Sequence, residues 1–180
     1  QNTIPENSPG AQASQPPTAN QNQSLTKSDR PDVKVFVMSY CPYGLQMEKA
    51  FLPVAGLLGK KADLTINFVD YIMHGQPEME ENLRQYCLQK EQKSKYNAYL
   101  GCFTQKGQAQ TCLSEAGVDE SKLNSCVNRT DEEFKVTAGF EDKTTWAGGR
   151  YPRFSVEAGL NEQYGVQGSP TVVINGQVVS

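Results

Sequence analysis

The residue with most chemistry to offer is Cys41, within Ser39-Tyr40-Cys41-Pro42-Tyr43-Gly44. It follows an alternating apolar run, Val33 to Met38, and precedes a stretch from Gly44 to Lys60 that reads as a helix. A cysteine at such a junction faces unpaired backbone N–H groups and the positive end of a helix dipole, which favour a thiolate. A thiolate there can attack a disulfide sulfur and form a mixed disulfide. Three residues on, where a second cysteine could resolve that intermediate, stands Gly44. Either a partner supplies the second sulfur, or Gly44 only gives room for another segment to come close.

Four further cysteines, Cys87, Cys102, Cys112 and Cys126, fall within one forty-residue stretch. An even set plus one outlier fits two structural disulfides and one free thiol, which implies an oxidising, extracytoplasmic setting: periplasm, cell envelope or secretory lumen. Zinc competes weakly, because no Cys-x-x-Cys pair exists and the single histidine, His74, is distant from the cluster; no metal is expected.

The elements that must position these residues read as follows. Residues 1–32 are rich in Gln, Asn, Ser, Pro and Ala, with no aromatic residue and only Ile4 and Leu25 as large aliphatics. That composition implies a disordered polar linker ahead of a domain spanning 33–180. A cleaved signal peptide or a membrane tether upstream of Gln1 would suit it. The net charge of −3, with acids and bases interspersed, excludes a nucleic-acid partner.

Val33 to Met38 is a first strand. In the helix after it, Met47, Ala50, Phe51, Val54, Leu57 and Leu58 form the expected buried face, with a kink at Pro53. Leu64 to Tyr71 is a second strand, giving a parallel βαβ unit. A helical insertion covers about 76–151, with helices expected at Glu78–Lys90, Lys93–Phe103, Thr111–Ala116 and Asp119–Val127, each carrying one cysteine. Four cysteines allow three pairings. Antiparallel neighbours would bring Cys102 to Cys112 and leave Cys87 for Cys126. Beyond a loop containing Trp146, Phe154 to Tyr164 is a helix and Thr171 to Ile174 a strand. Asn175-Gly176 is a strong hairpin signal, with Gln177 to Ser180 as the return strand, where a covering helix would be expected next.

Strand, Cys-Pro-Tyr-x, helix, then a distant Gly168-Ser169-Pro170 before a strand and hairpin resembles the thioredoxin-like superfamily. The long helical insertion is like DsbA-type proteins. The resemblance implies an α/β, thioredoxin-like fold with a disulfide-stapled helical insertion, and a cis Pro170 lying against Cys41. Pro42, Tyr43, Ser169 and Pro170 would then line the substrate site. His74-Gly75-x-x-Glu78, Asn82 and Cys87 resemble the signature of the gamma-interferon-inducible lysosomal thiol reductase family, although Met73 and Met79 stand where that family has cysteines. His74 would be structural there. That family's site is Cys-x-x-Cys, which Gly44 breaks.

These resemblances imply a thiol–disulfide oxidoreductase, reductase or isomerase-like, that acts through Cys41 on thiol- or disulfide-containing proteins with an external redox partner. No cofactor is expected. Cys-Pro-Tyr also begins the glutaredoxin motif, which makes glutathione a co-substrate to consider. The alternative is a redox-inactive, peptide-binding or chaperone module with the same fold. For Tyr43 packing is as good a reading as substrate contact, and for Trp146 packing is the better one.

Overall fold

An apolar run of alternating valines and a phenylalanine, Asp32–Val37 (β1), forms the middle of the sheet because both of its faces find cover. A computed structural model describes residues 25–179 of the chain. Most of the expected linker, residues 1–24, therefore lies outside the described residues. β1 pairs in parallel with Asp63–Phe68 (β2) and antiparallel with Thr171–Ile174 (β3), and β3 turns into Gln177–Val178 (β4), giving the order β2-β1-β3-β4. Asn175 and Gly176 form the hairpin with φ of 50° and 80°, as an Asn-Gly turn requires.

Seven α-helices surround the sheet among the described residues: Pro42–Leu58 (α1), Gln76–Glu91 (α2), Lys93–Lys106 (α3), Ala109–Glu115 (α4), Glu120–Phe134 (α5), Val136–Glu141 (α6) and Ala158–Tyr164 (α7). Val35 and Val37 join Ile66 and Phe68 in the larger core, shared with α2 and α3. Phe36 and Met38 point to the other face, where Val69, Val173 and α7 residues Leu160 and Tyr164 cover them. Cys87–Cys126 staples α2 to α5 and Cys102–Cys112 staples α3 to α4, the pairing that antiparallel neighbours imply. None of the described helices is long and apolar enough to cross a membrane.

Several expectations are corrected. The inward stripe of α1 is Gly44, Glu48 and Phe51, while Ala50 and Val54 are exposed and Leu57 is 84% exposed. A carboxyl in the stripe disguises it, so the apolar pattern points about a quarter-turn away. Strand β2 ends at Phe68 rather than Tyr71, because its partner β1 ends at Val37. Past that point the chain pairs with the end of the insertion: Phe154 N–H donates to the Asp70 carbonyl at 2.8 Å and Ile72 N–H to that of Pro152 at 2.9 Å. Helix α5 runs on to Phe134, and α6 follows after Lys135, which takes a φ of 54°.

The outer edge of β2 is sealed by side chains. Gln89 both donates to the Ile66 carbonyl (2.7 Å) and accepts its N–H (2.9 Å). Glu157 accepts the Phe68 N–H at 2.6 Å, and Asn161 donates to the Phe68 carbonyl at 2.9 Å. An edge covered this way is closed to another strand. Directly before β1, Thr26 N–H donates to Gln177 Oε1 at 3.0 Å and Asn175 Nδ2 donates to the Thr26 carbonyl at 2.6 Å, which fasten this stretch to the β3–β4 turn.

Candidate active site

Cys41 sits where β1 gives way to α1, as the N-cap with an extended backbone (φ −68°, ψ 124°). Pro42 occupies the first helical turn, where its missing N–H costs nothing. The turn is closed by Cys41 N–H donating to the Met38 carbonyl and Leu45 N–H donating to that of Cys41, both at 2.9 Å. No acidic residue stands in the first turn of α1, and no side chain caps its N–H groups. The first N–H groups of α1 are therefore left open beside Cys41.

Cys41 is 8% exposed and is the free cysteine of the chain's described residues. Its Sγ lies 3.6 Å from the carbonyl oxygen of Ser169, to which the thiol donates. The Ser169–Pro170 bond is cis. Ser169 Oγ accepts the Met38 N–H at 2.9 Å, so the segment before β3 is tied to the end of β1 beside the sulfur. The Tyr71 hydroxyl adds a second tie by donating to the Gln167 carbonyl at 2.9 Å. Cys41, Gly44, Ser169 and Pro170 thus gather at one end of the sheet. Pro42 and Tyr43 lie on the rim, and Tyr43 is 75% exposed, free to meet an incoming chain.

The residues of the reductase-like signature brace this site from behind. Glu78, fully buried, accepts the Met73 N–H at 2.9 Å and the His74 N–H at 3.2 Å, and its other carboxyl oxygen pairs with His74 Nδ1. Asn82 Oδ1 accepts the Ser39 N–H at 3.2 Å, and the Ser39 hydroxyl points at the Glu78 carbonyl, 3.4 Å away. The start of α2 is thereby clamped both to the loop after β2 and to the turn that carries Cys41.

Glu48 is the buried group that apolar periodicity passed over. It is fully buried one turn beyond Gly44, and neither carboxyl oxygen has a hydrogen-bond partner among the described residues. Burial pushes its pKa well above the ordinary carboxylate range, and the nearby Glu81 and Cys41 push in the same direction. The signal available in the sequence was a glutamate at four-residue spacing from Gly44 and three from Phe51. Glu81, equally buried, is supplied with partners: Arg84, the Tyr99 hydroxyl at 2.8 Å and Gln85 Nε2 at 2.9 Å.

The fold matches several solved structures, one of them named a thiol–disulfide exchange protein. The thiol-disulfide exchange protein alpha-DsbA2 of Wolbachia pipientis superposes with a TM-score of 0.56 at 13% identity, covering 86% of this chain and 76% of that one. Oxidised BdbD of Bacillus subtilis gives 0.56 at 15%, covering 86% and 81%. Reduced DsbA of Mycobacterium tuberculosis gives 0.54 at 17%, covering 88% and 79%. At such identities the likeness defines the fold, which is thioredoxin-like and of the DsbA type with its helical insertion. No protein-family model matches the sequence. No curated protein matches it either.

Proposed function

We propose that the protein is a thiol–disulfide oxidoreductase, reductase or isomerase-like, working through the single thiol of Cys41. The observation that carries this reading is the position of Cys41: the free cysteine, at the N-cap of α1, 3.6 Å from the carbonyl that precedes a cis proline, in a DsbA-type fold. The Cys41 thiolate attacks a substrate disulfide; a Cys41–sulfur bond forms, the substrate bond breaks and one substrate thiolate leaves. A thiolate from another substrate cysteine, from glutathione or from a partner protein then attacks the mixed disulfide. Attack on the substrate sulfur by a different substrate cysteine is isomerisation. In reduction one external thiolate attacks Cys41 Sγ and expels the substrate as thiolate; a second attacks the external group left on Cys41, departs with it as an external disulfide and frees Cys41.

Substrates are proteins with exposed thiols or disulfides, held at Pro42, Tyr43, Ser169 and Pro170. The two stapling disulfides support an extracytoplasmic setting. A second reading, a redox-inactive peptide-binding module, draws on the burial of the Cys41 sulfur. The two separate in a turnover assay: a disulfide-bonded protein reduced by glutathione, with wild type or Cys41→Ser added. Acceleration by wild type alone supports the enzyme; equal rates with both proteins favour the binding module.

A further inference from the structure

Building on the single-thiol reading, we propose that Ser169 is the residue that holds this site to one thiol, by filling the space a side chain at position 44 would need. Gly44 is buried in the first turn of α1. A β-carbon there would stand 2.7 Å from Ser169 Oγ, 3.0 Å from the Met38 carbonyl oxygen and 3.4 Å from Cys41 Cβ. The first separation is one that real β-carbons essentially never show, so a side chain at position 44 would force Ser169 to shift. Ser169 does not yield freely, since its hydroxyl takes the Met38 N–H at 2.9 Å and rotation away would leave that N–H unpaired. A side chain at position 44 thus meets Ser169 at its β-carbon, before any sulfur is considered, and can enter only if Ser169 or the turn shifts. Gly44 and Ser169 act as one specificity unit, and each is tolerated because of the other.

The chemical consequence concerns the second half of the cycle. With glutathione disulfide as the probe, the Cys41 thiolate forms a bond to one glutathione sulfur and the other glutathione leaves as thiolate. In a two-cysteine site, a thiolate at position 44 would attack Cys41 Sγ, form an internal disulfide and expel the bound glutathione as thiolate. Gly44 carries no sulfur for that second step and Ser169 crowds the position that would supply one, so the mixed disulfide persists until an outside thiolate attacks it.

The test uses the full chain with Gly44→Cys, Ser169→Ala and the double variant, treated with glutathione disulfide, alkylated and read by intact and peptide mass. Gly44→Cys is expected to stop at a glutathione adduct on Cys41, whereas the double variant loses the glutathione and carries a disulfide between positions 41 and 44. Equal loss of glutathione from both would overturn the proposal. A melting cycle with Gly44→Ala, Ser169→Ala and their combination needs no redox chemistry and covers a Gly44→Cys variant that fails to fold. Gly44→Ala is expected to lower the Tm by about 3 °C, against the rise that glycine-to-alanine normally brings in a helix, and the loss should shrink in the Ser169→Ala background. Additive changes, or a Gly44→Ala protein that melts above wild type, would contradict it. Failure of wild-type Cys41 to take up glutathione would sink the single-thiol reading, and the melting cycle would still judge Ser169.

Discussion

Asn82 Oδ1 accepts the backbone N–H of Ser39 at 3.2 Å, so a helix of the insertion holds the turn on which Cys41 stands. The insertion therefore does more than cover the sheet: through α2 it sets the backbone two residues before the sulfur. Replacing Asn82 with Ala leaves the buried Ser39 N–H without its partner, a loss of about 1–3 kcal/mol. Urea unfolding should show that loss, and alkylation of Cys41 in the folded state should change rate. An unchanged midpoint would mean the brace contributes nothing.

The pH dependence of stability should run opposite to that of a protein rich in paired carboxylates. Burial raises Glu157 to about 7, outweighing the hydrogen bonds from Phe68 N–H and Asn67 that pull it down. The folded state therefore holds the proton more tightly than the unfolded chain. Stability from this group is full below the unfolded value, near 4.5, and is lost as pH rises through 7. Across that window the change should be on the order of 3 kcal/mol, with buried Glu48 and Glu81, both raised, adding in the same direction. Denaturant titrations at pH 5 and pH 8 should show the acid form more stable, and Glu157→Gln should flatten the difference. Greater stability at pH 8 in wild type would reject this.

Glu48 offers a simpler contrast. Its carboxyl is buried without partners, so Glu48→Met, similar in volume and apolar, should stabilise the fold by about 1–3 kcal/mol, most of all above neutral pH. A destabilised variant would show that the carboxyl has partners that matter.

Much of this architecture was legible from spacing. The alternation in Val33–Met38, the Asn175-Gly176 turn and the isolation of Cys41 from four clustered cysteines are local signals, and each corresponds to an observed feature. Three features were not legible, each because a tertiary contact overrides a local rule. The inner face of α1 contains Glu48, which hydropathy sends outward. Asp70 and Tyr71 keep a strand-like pattern after β1 has no more residues to pair with them. The fit between Gly44 and Ser169 joins positions 125 residues apart, and no periodicity reports it.

The two disulfides close loops of different length, with sequence separations of 39 and 10. On chain entropy alone, removing Cys87–Cys126 should cost about 4 kcal/mol and removing Cys102–Cys112 about 3 kcal/mol. Paired Cys→Ala variants compared by denaturant midpoint check the order, and a larger loss for the short loop would show that packing at the sulfurs outweighs the loop term.

The central claim is that Cys41 is a working single thiol, and stoichiometric trapping tests it most directly. The folded, non-reduced protein is incubated with glutathione disulfide and its intact mass measured beside Cys41→Ser. One glutathione per chain is expected, located on Cys41, absent from the variant and released by added thiol. A protein that stays unmodified while folded, or an adduct that persists in Cys41→Ser, would contradict it.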